Sequence, residues 1–115
     1  LAIEVFTNEP IRGTEMTLVT DSFGRLRMSS LLVSLLHLKD ESASFYLGYD
    51  KERRSIALGP VGDVFPKNAR PVTFDAKRHY ASARSFFTAF GLPFECAKFA
   101  YKGTDNGWLM FERMN

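Results

Sequence analysis

Apolar and polar residues alternate with a period of two in several short stretches of this chain and recur at helical spacing in only two. Residues 2 to 6 (AIEVF) read as a short opening strand, broken by Asn8-Glu9-Pro10 and Gly13. Residues 15 to 20 (EMTLVT) are rich in β-formers, and residues 25 to 28 alternate again with Leu26 and Met28 on one side. Between them Asp21-Ser22-Phe23-Gly24 supplies a turn with glycine in last place, so this stretch predicts a β-hairpin. Leu31, Leu32, Leu35 and Leu36 then fall at helical spacing behind Ser29 and Ser30, either of which can accept from the free amides of a first turn. The pattern predicts a helix over residues 30 to 37, too short to persist unless it packs. Residues 43 to 49 (ASFYLGY) place Phe45 and Leu47 on one face and Tyr46 on the other. A turn over Asp50-Lys51-Glu52-Arg53 leads into a strand over residues 54 to 58, completing a second hairpin.

Gly59-Pro60, Gly62, Pro66 and Pro71 make residues 59 to 71 the least regular stretch, which predicts a connector. Beyond it Asp75 reads as the N-cap of a helix over residues 76 to 90, ended by Gly91 and Pro93. Ala76, Tyr80, Ala83, Phe87 and Phe90 share one stripe of that helix, while Lys77, Arg78, Ser82 and Arg84 lie away from it. Residues 94 to 101 and 108 to 114 are aromatic-rich strands joined through Asn106-Gly107, a pair suited to a tight turn with positive φ. The expected fold class is α+β. It comprises an N-terminal ββαββ unit over residues 1 to 58, an irregular connector over 59 to 71, and an αββ unit over 72 to 115, packed on the first unit or mediating partner contact. No internal repeat and no low-complexity segment is read in the chain.

Composition narrows the class without naming a function. With 115 residues, 45% of them hydrophobic, and a net charge of +2, the chain suits one folded domain rather than a disordered segment. The longest apolar run, Leu31 to Leu36, is interrupted by Ser34 and falls far short of a membrane span, so no membrane association is expected. Residues 1 to 10 carry Glu4 and Glu9 and no basic start, unlike a secretory signal, and a cytoplasmic location is expected. Cys96, the one cysteine, can form neither an internal disulfide nor a cysteine zinc cluster and reads as a small buried hydrophobe. His37 and His79 fall in different units, outside any HExxH or Cys/His pattern, and no GxSxG, P-loop or GxGxxG occurs. The reading is therefore a non-enzyme, with no catalytic residues, no metal and no cofactor.

The small net charge hides an asymmetry. Residues 1 to 50 hold four basic and seven acidic residues, a balance of −3, whereas residues 51 to 115 hold eleven and six, a balance of +5. Basic surface attracts a phosphate backbone through counterion release. The candidate nucleic-acid contacts are Arg25 and Arg27 on the first hairpin, Arg53 and Arg54 on the second, and Lys77, Arg78 and Arg84 on the expected helix. The chain has no recognition helix with Asn, Gln and Arg grouped for base readout, so these contacts would go to phosphates. The chain also has 11 Phe residues, and Phe86, Phe87, Phe90, Phe94 and Phe99 cluster within one αββ unit. One such unit cannot easily bury them all, so they serve either a partner surface or a core shared with the first unit.

Within residues 19 to 50 the order is an acid, two residues, Gly-Arg, alternating aliphatics, a short leucine helix, then a strand ending at an acidic turn. Asp21, Gly24, Arg25, Leu26, Met28, Leu32, Leu36, Leu38 and Asp50 carry it. This pattern resembles the DNA-binding module of AbrB-like transition-state regulators, the swapped-hairpin family that includes MazE-type antitoxins, over residues 17 to 58. The resemblance implies an intertwined homodimer whose two hairpin pairs complete one small barrel, with arginines of both copies laid along DNA. Only Arg25 carries over directly; Ser29 stands where the family usually has Pro, and Val33 and Ser34 where its helix often has Arg. The expectation is a small dimeric DNA-binding transcriptional regulator that contacts phosphates through strand-borne arginines. The alternative is a protein-interaction module, antitoxin-like or inhibitory, that docks through an aromatic, apolar surface.

Overall fold

The computed structural model describes residues 15 to 60 and 69 to 114; the opening strand expected over residues 2 to 6 and residues 61 to 68 of the expected connector lie outside them. The first hairpin pairs β1 (Thr17–Thr20) with β2 (Arg25–Met28). Asp21 shapes its turn: one carboxylate oxygen accepts from the backbone N–H of Phe23 at 2.9 Å and of Arg25 at 3.0 Å. Gly24 closes the turn at φ +74°, a region that costs a side-chain-bearing residue strain, and a Cβ there would lie 2.7 Å from Arg84 Cγ and 2.8 Å from a Phe94 ring carbon. Helix α1 (Ser30–Leu35) follows, capped by Ser29, whose hydroxyl oxygen accepts from the amides of Leu32 and Thr17 and donates to the Glu15 carbonyl. One serine thus satisfies the free end of the helix and fastens it to β1. Strands β3 (Ala43–Asp50) and β4 (Ser55–Pro60) form the second hairpin, as the alternation predicts, but β4 takes in Gly59 and Pro60, expected to open the connector, because Tyr46 and Phe45 of β3 pair with them.

The second half departs from expectation. Instead of a helix over residues 76 to 90, the chain forms strand β5 (Val72–Phe74), a turn, strand β6 (Tyr80–Ser82) and a shorter helix α2 (Arg84–Phe90). Asp75 caps a turn, not a helix: its carboxylate accepts from the amides of Lys77, Arg78 and Tyr80. His79 then sits at φ +55°, left-handed backbone through which no right-handed helix can run. Residues 80 to 82 extend because β2 offers them a ladder, with Leu26 opposite Ala81 and both side chains buried. Pairing with a distant strand overrides the helical periodicity of the local sequence. Helix α2 ends as expected at Gly91, at φ +66°. Strands β7 (Ala97–Asp105) and β8 (Trp108–Arg113) close the chain, joined at Asn106 and Gly107 with φ values of 51° and 85°. The C-terminal unit is therefore ββαββ and not αββ. Cys96 is exposed, not buried, because it falls in the irregular stretch before β7.

All eight strands of the described residues join one antiparallel sheet in the order β5-β3-β4-β8-β7-β1-β2-β6. Its first and last members, β5 and β6, are consecutive in the chain, and Asp75 N–H donates to the Tyr80 carbonyl at 3.1 Å where they meet. The sheet curls into a small barrel-like fold whose two end strands meet at that turn. Leu18, Leu26, Ile56, Leu58, Phe74, Phe99 and Phe111 are buried inside it, and Leu32 of α1 and Phe87 of α2 belong to the same cluster. Phe74, Phe87, Phe99 and Phe111 of the second half thus fill a core that both halves share, whereas Phe90 and Phe94 are exposed. His79 is buried too, and its Nε2 lies 2.8 Å from the Leu38 carbonyl oxygen and 3.1 Å from that of Glu41, which ties the β5–β6 turn to the segment after α1.

The chain runs ββαββ twice, and the barrel has an approximate two-fold axis that relates the halves. Exchanging β1 with β5, β2 with β6, β3 with β7 and β4 with β8 carries every strand pairing onto another except β1–β2, whose counterpart is the β5–β6 turn with its Asp75–Tyr80 hydrogen bond. Registers agree as well. Leu18 faces Phe99 and Val72 faces Phe45, and each second-half residue stands 54 positions after its counterpart (Leu18 to Val72, Phe45 to Phe99). The axis passes between two self-paired ribbons, where Leu26 faces Ala81 and Ile56 faces Phe111. Contrary to the expectation of no internal repeat, the chain contains one. Its halves share little sequence because matching positions need only suit the same pleat and core volume.

Candidate nucleic-acid interface

On the ribbon made by β2 and β6, the period of two sends Leu26 and Met28 inward and Arg25 and Arg27 outward. Tyr80 of β6 stands directly across from Arg27. Both guanidinium groups lie near its ring, Arg25 at 4.6 Å and Arg27 at 6.0 Å from the centroid. Arg25 is further held by Asp21, with Nε 2.7 Å from the carboxylate. Arg27 makes no ion pair among the described residues, so its charge is open to a ligand.

Beside Arg27 a groove of about 360 Å³ runs along the outer sheet face, lined by Glu15, Thr17, Val19, Arg27, Ser29, Ser30, Arg78 and Lys98 among others. Strand pairing explains this company, since Val19 faces Arg27 on one side and Lys98 on the other. Arg78 reaches the groove from the β5–β6 turn. Lys98 lies 3.7 Å from Glu15, both groups well exposed, a contact worth little in water. Three cations thus converge from segments far apart in the chain.

The expected site residues divide accordingly. Arg25, Arg27 and Arg78 come together, and Lys77 shares the turn with Arg78. Arg53 and Arg54 precede β4, four places from β2 in a ring of eight strands, and so occupy the far side of the barrel. There Arg53 sits between Asp50 at 3.7 Å and Asp105 at 3.4 Å. Arg84 packs against the β1–β2 turn with its guanidinium 6.0 Å from the Phe94 centroid, and it does not line the groove. Lys98 and Tyr80 carry no signal in the sequence, because only the β1–β7 and β2–β6 pairings bring them to Arg27. Among the described residues no group of three His, Cys, Asp or Glu converges as a metal site, and no helix is long and apolar enough to cross a membrane.

Two carboxylates hold the turns at either end of the ribbon. For Asp21, burial opposes ionisation, but hydrogen bonds from the Arg25 amide and guanidinium and the Phe23 amide outweigh it and keep the pKa below the ordinary value. Asp75 is lowered by the amides of Arg78 and Tyr80, then of Lys77. A depressed folded-state pKa means that the unfolded chain takes up protons first as pH falls. The stabilisation is complete above the unfolded value of about 4 and is lost as pH drops through the lower folded value. Asp75→Asn is therefore expected to reduce stability at pH 7 and to flatten its decline below about pH 4; an unchanged acid limb in urea melts across that range would refute this role.

The fold and face together define a class: an antiparallel, barrel-like sheet, approximately two-fold within one chain, with a basic ribbon on its axis. Comparison with known protein families, curated proteins and solved structures returns no match to this chain.

Proposed function

We propose that this protein is a small duplex-DNA-binding regulator that uses the outer face of the β2–β6 ribbon. The convergence of Arg27, Arg78 and Lys98 on one groove, next to Arg25, carries the reading. Such a surface suits phosphate contact, which positions a protein on DNA without reading sequence. The chain order β1-β2-α1-β3-β4 and the hairpin turn at Asp21-Gly24-Arg25 support the resemblance to AbrB-like modules. In that family a second copy completes the barrel; on this reading strands β5 to β8 of the same chain take that part, so a single chain is the binding unit we infer.

Salt titration tests this directly. Binding to a random-sequence duplex is expected to weaken steeply with added salt, with a log–log slope of about −3 for three to four phosphate contacts, and with one chain bound per short duplex. Absence of binding at low salt would overturn the reading. It would favour a protein-interaction module instead, for which the groove of about 980 Å³ lined by Leu47, Val72, Phe86 and Phe90 is the available apolar surface.

A further inference from the structure

The two-fold axis makes the two turns that flank the β2–β6 ribbon equivalent, yet they present opposite chemistry. In each, the aspartate side chain accepts from the amide two residues on: Asp21 from Phe23 at 2.9 Å, Asp75 from Lys77 at 3.1 Å. Counted from the aspartate, Phe23 corresponds to Lys77, and counted back from the left-handed residue (Gly24 or His79) in a second turn one residue longer it corresponds to Arg78; either way a phenyl ring stands opposite a cation. Phe23 is 68% exposed, the most exposed large hydrophobic side chain among the described residues. Its turn is firmly set by the Asp21 hydrogen bonds and by Gly24 packed under Arg84 and Phe94. A rigid turn that keeps a phenyl ring in water forgoes hydrophobic stabilisation, and Arg25 lies 5.1 Å from that ring.

Resting on the DNA reading above, we propose that the ribbon engages a duplex with fixed polarity, Phe23 wedging into a base step at one end while Lys77 and Arg78 hold phosphate at the other. Charge complementarity selects the partner. The turn is bordered by Arg25 and Arg84, and the ribbon continues into Arg27, Arg78 and Lys98, so an apolar ring is carried to the partner on a cationic face. Apolar wedges between arginines and lysines unstack base steps in this way, and the cost is least where a step is already weakened. The dimensions suit it. Gly24 is level with Ala83 and Met28 with His79, so the ribbon between the turns runs four residues, roughly 13 Å or about four base pairs. A symmetric dimer would place the same residue at both ends; this chain places different ones and needs no palindromic target.

The test compares a matched random-sequence duplex with the same duplex bearing one central T·T mismatch, at fixed low salt. The intact protein is expected to prefer the mismatched duplex by roughly tenfold. Phe23→Ala should abolish that preference, bringing the two affinities within about twofold of each other, while the salt slope stays unchanged because phosphate contacts persist. Lys77→Ala should weaken both duplexes alike and lower the salt slope by about one. Salt-dependent binding with no mismatch preference, or a preference that survives Phe23→Ala, would overturn the wedge and leave the DNA reading standing. Failure to bind either duplex would overturn both, and a protein partner for Phe23 would then be indicated.

Discussion

Reversing two charges in the groove, Arg27→Glu with Arg78→Glu, is expected to weaken duplex binding by about 100-fold at low salt, since like charge set against phosphate costs several kcal/mol. These two arginines are the informative pair because neither holds the fold together. Arg27 and Arg78 are exposed and make no ion pair among the described residues, and Arg78 serves its turn through its backbone amide alone. Arg25 is a poorer choice. A glutamate there would face Asp21 and disturb the turn, so lost binding would not separate contact from folding. Reversal of Lys51 and Arg54 is the matched control, with the same change in net charge on the far side of the barrel and no ion pair of either among the described residues. Filter or fluorescence binding would read the difference. Equal losses from both pairs would mean that net charge alone drives association and that the ribbon is not the contact surface.

Replacing Phe87 with alanine is expected to cost about 3–5 kcal/mol, the usual range for a large aromatic removed from a core. Phe87 is the one buried residue of α2 and is fully enclosed. Its ring packs edge-on to Phe94 at 5.4 Å and against Phe86 at 6.2 Å, so its loss unseats the helix from the barrel. Against a total stability of about 5–15 kcal/mol, such a change would leave much of the population unfolded. Phe90→Ala, on the same helix but 38% exposed, should cost about 1 kcal/mol or less. Urea unfolding of both variants gives the contrast, and similar midpoints would show that α2 does not depend on Phe87.

Much of the first half is legible in the amino-acid sequence. Asp21-Ser22-Phe23-Gly24, the Ser29 cap and the leucine spacing behind it are short-range signals, and each acts within a few residues of itself. The basic site is only half visible there. Arg25 and Arg27 follow from alternation along one strand, but Arg78 and Lys98 join them through strand pairings separated by dozens of residues. Arg53 and Arg54 are indistinguishable from them as sequence, and the barrel carries them to its other side.

Local chemistry by itself determined the hairpins, the turn residues, α1 and the end of α2, because hydrogen-bond caps, glycine torsions and period-two alternation depend on neighbouring residues. Only the tertiary structure decided that residues 80 to 82 leave the helical pattern. Their extended form is favoured by a ladder to β2 and by burial of Ala81 against Leu26, which no local window contains. The same long-range pairing decided that the chain is a two-fold barrel, because the symmetry resides in registers and enclosed volume, and unlike side chains such as Leu32 and Phe87 can meet both.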